Sequence, residues 1–276
     1  MTAEKALDRA LSILRTTGTS SATLDAEVLL SHVLKTSRTR LLSLPERLLT
    51  SRQQKIFFRF IAKRSHGWPV AYLTGHKEFY GLDFIVTNDV LVPRPETETL
   101  IDMILKSAGR NEPLEIFDIG TGTGCIAITL AHYMPHTKIT ALDLSPRALT
   151  IAKKNARIHK VLKKIRFIRS DLFSGVAKKQ ADIIVANLPY LTHDQLRGVP
   201  HEPKMALYGG KMGLELIEKV LQETPIHLNE NGKVFLEIDP RQTEAVRYVI
   251  EQCFSKKHIT YAKSLAGRER VVYIQT

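Results

Sequence analysis

The sequence predicts an α/β protein, a doubly wound parallel sheet preceded by a small helical domain. Three observations carry that prediction. The first 65 residues show only helical spacing of their apolar side chains. From Leu114 onward short apolar runs alternate with helical stretches, and a glycine-rich turn joins the first of those runs to the helix after it.

Near the start, Leu7, Leu11 and Leu14 recur about one helical turn apart. Ala26, Leu29, Leu30, Val33 and Leu34 follow the i, i+3, i+4, i+7, i+8 pattern of one helix face, and Ile56, Phe57, Phe60 and Ile61 build another. These stripes predict three or more helices in a domain over residues 1–75. The pattern ends at His66-Gly67-Trp68-Pro69, and residues 79–86 (FYGLDFIV) read as a strand or hairpin. Val90-Leu91-Val92 then runs into Pro93-Arg94-Pro95. Two prolines so close suit neither a helix interior nor a central strand, so residues 76–95 form a hairpin and rigid linker. A helical pattern resumes at Glu96 and opens the last segment, residues 96–276.

The apolar runs of that segment are residues 114–119, 138–142, 165–168, 182–186 and 234–238. Helices are expected over 124–133, 146–159, 213–228 and 240–254. Runs this short and this apolar suit strands covered on both faces. Ser145-Pro146 marks one helix start, an N-cap followed by proline at the first helical position. Asp239-Pro240 marks another, with Gln242 at the capping-box position. Residues 258–262 and 270–274 predict two further strands, with Ala266-Gly267-Arg268 as the turn between them.

Composition narrows the function. With 43% hydrophobic and 25% charged residues the chain is a soluble globular protein. No apolar run approaches the roughly 18 residues that cross a bilayer. Glu4, Lys5, Asp8 and Arg9 stand where a signal peptide would be apolar. Cys125 and Cys253 are too few for a disulfide framework, and neither they nor the ten scattered histidines show metal-ligand spacing. The expectation is a cytoplasmic protein without metal or membrane. A net charge of +12 suggests an acidic partner, nucleic acid or protein, unless the basic residues only solvate helix faces. Residues 1–85 hold 13 Lys and Arg against 7 Asp and Glu, about half of that excess.

Asp118-Ile119-Gly120-Thr121-Gly122-Thr123-Gly124 leaves the first strand of the sheet and enters a helix. Glycines there let a ligand press on the backbone, and the carboxyl ends of parallel strands are where ligands sit. A dinucleotide fingerprint would need glycine at Cys125, and a phosphate-binding loop would need Gly-Lys-Ser/Thr. Neither is present. Asp118 would repel a pyrophosphate but suit the sulfonium and ammonium of S-adenosylmethionine. Asp143, at the end of the second strand, is placed to accept from two ribose hydroxyls, and Asp171-Leu172-Phe173 would flank an adenine.

At the end of the fourth apolar run stands Asn187-Leu188-Pro189-Tyr190, on the same edge of the sheet. A planar NH2 group is a poor nucleophile because its lone pair is delocalised, so it must be held and shielded from water. The Asn187 oxygen can accept one N–H and the Leu188 carbonyl the other, with Pro189 biasing Leu188 toward an extended backbone. Tyr190 offers a flat face to the planar group. Direct transfer of a methyl group to such a nitrogen needs no strong base.

Here the chain resembles the release factor glutamine methyltransferase (HemK-like) family over almost its whole length. The resemblance is carried by residues 69–84 (PVAYLTGHKEFYGLDF), 91–98 (LVPRPETE), 118–124, 187–190, 202–210 (EPKMALYGG) with Met212-Gly213-Leu214, 236–238 and 266–270 (AGRER). It implies a helical N-terminal domain that grips the substrate, a β-hairpin linker, and a Rossmann-like, seven-stranded class I methyltransferase domain. The implied cofactor is S-adenosylmethionine. The implied substrate is the glutamine of the Gly-Gly-Gln motif in class I peptide chain release factors, methylated by a monomer with no stable nucleic-acid partner.

Carried onto this chain, the resemblance places cofactor contacts on Gly120, Thr121, Gly122, Thr123, Gly124, Asp143, Leu172 and Asn187. The amide contacts fall on Asn187, Leu188, Pro189 and Tyr190, with Arg94 and Glu96 lining the site. Two positions depart from the family pattern: Leu188, where proline is usual, and Asp239, where glycine is usual. The nearest rivals are methylation of a ribosomal-protein glutamine, methylation of adenine N6 in nucleic acid, and a non-catalytic binding module. The intact glycines, Asp143 and Asn187 speak against the last.

Overall fold

The computed structural model describes every residue except Arg110, Lys178, 255–257 and 264–266. The chain divides into two compact units, Met1–His76 and Lys77–Thr276. The first holds helices α1 (Ala3–Thr16), α2 (Ala22–Leu34), α3 (Arg38–Leu42), α4 (Ser51–Ser65) and α5 (Val70–Thr74). Thr50 and Gln53 cap α4 reciprocally, each side chain bonding the other's backbone N–H. Leu29, Leu30, Phe57 and Ile61 are buried, as their stripes predict. On α1 the buried face is Ala3, Ala6, Ala10 and Leu14, while Leu7 and Leu11 pack at its margin. Apolar spacing alone pointed to the larger side chains, but small residues let this helix lie close against its neighbours.

A two-stranded hairpin, β1 (His76–Phe79) and β2 (Leu82–Ile85), stands at the start of the second unit. Its two-residue turn has positive φ at both Tyr80 and Gly81, the backbone that matches the strands' twist. There follow α6 (Glu98–Ser107), β3 (Glu115–Ile119), α7 (Cys125–Tyr133), β4 (Lys138–Asp143), α8 (Pro146–Ile158), β5 (Ile165–Arg169) and β6 (Ala181–Ala186). The unit closes with α9 (Glu215–His227), β7 (Leu228–Glu237), α10 (Thr243–Cys253), β8 (His258–Lys263) and β9 (Glu269–Gln275).

The seven strands from β3 to β9 form one sheet in the order β5-β4-β3-β6-β7-β9-β8, parallel except for β9. The order reverses between β3 and β6, so the connections that follow these two paired strands run to opposite sides of the sheet and leave a crevice at their carboxyl ends. A buried apolar layer covers each face of the sheet.

Three local expectations are corrected. Strand β7 starts at Leu228, straight after α9, six residues before its apolar run. Residues 240–242 are a 3-10 turn ahead of α10. Asp239 caps that turn by accepting from the Arg241 N–H, but the Gln242 amide does not close a capping box; it donates to the carbonyls of Tyr190 and Gly213 instead. Of the turn expected at Ala266-Gly267-Arg268, Ala266 lies outside the described residues.

Candidate active site

Strand register brings the two motif turns together. Ile119 pairs with Leu142 on one side and with Ala186 on the other, so Gly120, Asp143 and Asn187 leave three adjacent strands at the same level. Gly120, Gly122 and Gly124 all have positive φ, which side-chain-bearing residues resist. A methyl group on Gly120 would sit 3.2 Å from Leu188 Cδ2, and one on Gly124 would meet Ile128 and Ala152. The N–H groups of Gly120 and Thr121 both bond the Leu142 carbonyl. Asp143 accepts from the N–H of Gly122 and of Ser145, each at 2.8 Å, and burial raises its pKa.

The pocket at this edge is lined by Gly120, Thr121, Gly122, Thr123, Asp143, Leu172, Asn187, Leu188 and Pro189. Gly124 and Tyr190 do not line it. Phe173, expected beside an adenine, is a core residue stacked on His227 at 4.5 Å. Asp118 is wholly buried and off the lining. Its Oδ2 accepts from the Thr121 hydroxyl (2.6 Å) and the Ala127 N–H (3.3 Å), Oδ1 has no partner among the described residues, and burial lifts its pKa to about 7. Asp118 therefore ties the turn to α7 instead of lining the pocket. Glu96 is exposed and outside the pocket, while its neighbours Arg94 and Thr97 line it. Cys125 lines the pocket too, but burial pushes its thiol up to about 12, leaving a protonated side chain.

Asn187 is held from behind. Its side-chain N–H2 donates to Glu237 Oε2 at 2.9 Å and to Thr97 Oγ1 at 3.0 Å, while the Thr97 hydroxyl donates to the same Glu237 oxygen at 2.6 Å. A hydroxyl has one proton; with it given to Glu237, Thr97 can only accept from Asn187. Both donors of the amide are thus engaged, and the Asn187 oxygen is left facing away from them. Among the described residues nothing donates to that oxygen or to the Leu188 carbonyl. Glu237 is buried at the end of β7, and burial lifts its pKa to about 7.

The loop after this turn supports it as well. Leu191 exchanges backbone hydrogen bonds with residues 207 and 209, and a Cβ on Gly209 would come within 2.7 Å of the Tyr190 Cα. Arg94 and Glu202 form an ion pair at 2.5 Å, joining the two-proline linker to the same loop, whose Pro203, Met205 and Ala206 line the pocket. Thr97, Glu237 and the wall built by Val90, Leu91, Val92 and Pro93 were not singled out from the sequence. They lie in or beside the stretches 91–98 and 236–238, but nothing in their spacing says that they converge.

The lining suits an adenosine cofactor without phosphates. Asp89, Asp143 and Asp171 contribute carboxylates, Arg94 is the cation among the lining residues and is already paired, and Gly122 leaves the backbone open to a ligand. Together with the strand order, this defines an S-adenosylmethionine-dependent methyltransferase. Residues 95–201 match the methyltransferase small domain, and residues 5–75 match the PrmC N-terminal domain. A solved methyltransferase from Pyrococcus furiosus shares the fold, with TM-score 0.54 and 22% identity over 82% of this chain and 98% of that one. The release factor glutamine methyltransferase of Koribacter versatilis is 40% identical, covering 99% of this chain and 98% of that protein. The enzyme of the same name from Coxiella burnetii is 39% identical over 93% of each. The chain belongs to the release factor glutamine methyltransferase family.

Proposed function

We propose that this protein methylates the side-chain amide nitrogen of the glutamine in the Gly-Gly-Gln motif of class I peptide chain release factors. The observation that carries the reading is a pair of unengaged acceptors, the Asn187 oxygen and the Leu188 carbonyl, at the cofactor pocket. Bound S-adenosylmethionine supplies an electrophilic methyl group on a sulfonium. Asn187 and Leu188 each accept one N–H of the substrate amide and so turn its nitrogen toward the pocket, while Pro189 and Tyr190 flank it. The nitrogen gains positive charge as it gains the methyl group and then loses a proton to water.

In this reading Gly120, Thr121, Gly122, Thr123, Asp143, Leu172 and Asn187 contact the cofactor, and Gly124 shapes the turn. Glu237 and Thr97 fix which end of the Asn187 amide faces the substrate. Residues 1–75 recognise the release factor, 76–95 are the linker and 96–276 transfer the methyl group, as a monomer in the cytoplasm. The test offers labelled S-adenosylmethionine with unmodified release factor, ribosomal protein and nucleic acid side by side, and locates the product by mass spectrometry. Label on the Gly-Gly-Gln glutamine alone is expected. Label on either of the others keeps the chemistry and discards the substrate.

A further inference from the structure

A dense block of the chain's positive charge lies where the active site does not use it. Residues 146–170 hold nine Lys and Arg and no Asp or Glu, in a chain whose total is +12. They make up α8, the turn that follows, and β5, an edge strand of the sheet. Helical periodicity buries Ala148, Leu149, Ile151, Ala152, Asn155 and Ala156, and leaves Arg147, Lys153, Lys154 and Arg157 outside. Lys160, Lys163, Arg166 and Arg169 are exposed as well. Lys164 is half-buried and donates to the Ala131 carbonyl. Of the eight exposed cations, Arg147 alone has a carboxylate partner among the described residues, Asp89 at 3.3 Å.

A solvated face ordinarily mixes the two signs, since like charges one helical turn apart repel. Three kinds of partner would offset that repulsion, and they ask for different surfaces. A protein interface needs an apolar or aromatic centre, and the one large hydrophobic side chain exposed in this segment is Ile158. A helix lying on a membrane needs an apolar face of its own, and the apolar face of α8 is buried against the sheet. A phosphodiester backbone needs only cations at regular intervals. The adjacent Lys153 and Lys154, then Arg157 and then Lys160, supply them at steps of about one turn, or roughly 5 Å.

We propose that the outer face of α8 and the β5 edge dock the phosphate backbone of RNA without reading its sequence. RNA is preferred to DNA because the proposed substrate is a translation factor, and that choice alone rests on the functional reading above. The surface begins beside the pocket, where Ser145 and Ala148 line one side and Ser170 the other, and runs away from it. RNA held there leaves the pocket open to a peptide.

The test measures binding of a labelled 20-nucleotide oligouridylate to the full chain across a salt series. The comparison is the variant Lys153→Gln/Lys154→Gln/Arg157→Gln/Arg166→Gln, all at exposed positions outside the pocket. At about 0.7 per phosphate neutralised on a single strand, the slope of log affinity against log salt should fall by about 3 in the variant. Affinity near 150 mM salt should drop at least 10-fold, with methylation of release factor in RNA-free buffer unchanged. An unaltered slope overturns the proposal. So does polyglutamate that displaces the RNA at equal charge, which makes this an acidic-protein surface, and so does duplex DNA that binds more tightly. Slower release-factor methylation by the variant without RNA also overturns it, by making the face part of the substrate dock. The salt slope and the competition by polyglutamate and duplex DNA are read whether or not release factor proves to be the substrate.

Discussion

The two turns at the centre of the site are built on opposite plans. The glycine turn is a local construction. Its shape comes from three left-handed glycines, and its N–H groups bond the strand next door, Leu142 and Asp143. The Asn187–Tyr190 turn is held from a distance. Asn187 depends on Thr97 and Glu237, 90 and 50 residues away, and the Tyr190 carbonyl depends on Gln242, 52 residues away. In the proposed reading the first positions a cofactor that brings many contacts of its own. In that reading the second must orient one side-chain amide with two hydrogen bonds, and a wrong rotation of Asn187 would present a donor where an acceptor is needed. Precision at a small target recruits support from the whole sheet.

Substitutions can separate the two plans. Removing Asn187 should have the largest effect: Asn187→Ala is expected to lower kcat about 100-fold with the fold intact, as for loss of one preorganised hydrogen-bonding group. Near-normal turnover would remove Asn187 from the chemistry. Next comes Asp143→Ala, which should weaken S-adenosylmethionine binding roughly 10- to 100-fold in calorimetry, on the scale of one hydrogen bond to a charged acceptor. Unchanged affinity would take Asp143 out of the ribose site. Glu237→Leu should lower kcat roughly 10-fold by freeing the Asn187 amide to rotate, at constant cofactor affinity, while Glu237→Gln retains an acceptor and most of the activity. Equal losses in both variants would show that the negative charge, not the orientation, matters.

A smaller loss, about 3-fold in kcat, is expected for Thr97→Val, which keeps the shape and deletes one partner. The smallest effect on turnover belongs to Asp118→Asn, which reports on stability instead. Burial raises the Asp118 pKa from 3.8 to about 7, so the folded state holds its proton more tightly than the unfolded one. The stability this contributes is complete below about pH 4 and is lost as the pH rises through about 7. The variant lacks that loss, so the stability difference in urea titrations should drift in its favour between pH 4 and pH 8. A difference independent of pH would mean that Asp118 is not titrating in this range.

The same contrast governs what could be read in advance. Alternating apolar runs, the glycine turn, Asp143 and the Asn-Leu-Pro-Tyr turn were legible because each is spelled by adjacent residues with a local physical meaning. Thr97 and Glu237 were not, because a threonine after Arg-Pro-Glu and a glutamate ending a strand become partners only when the start of α6 packs against the end of β7. The linker shows an intermediate case. Its two prolines marked rigidity, but that Val90 to Arg94 form a wall of the pocket depends on tertiary placement. Gln242 was misassigned for a similar reason: a residue at the right offset for a cap had a better use for its amide, 52 residues back. The alanine face of α1 escaped because hydrophobic spacing weighs large side chains, whereas close packing can favour small ones.

Thr97 and Glu237 together leave the Asn187 oxygen as an unengaged acceptor, next to a second acceptor at Leu188. Glutamine and glutamate are nearly the same size and shape, and a cavity cannot sort them by volume. Two oxygens with no proton to give can. A deamidated substrate would bring its own negative oxygens against them and find no donor in return, so the damaged protein would be refused at the step of entry.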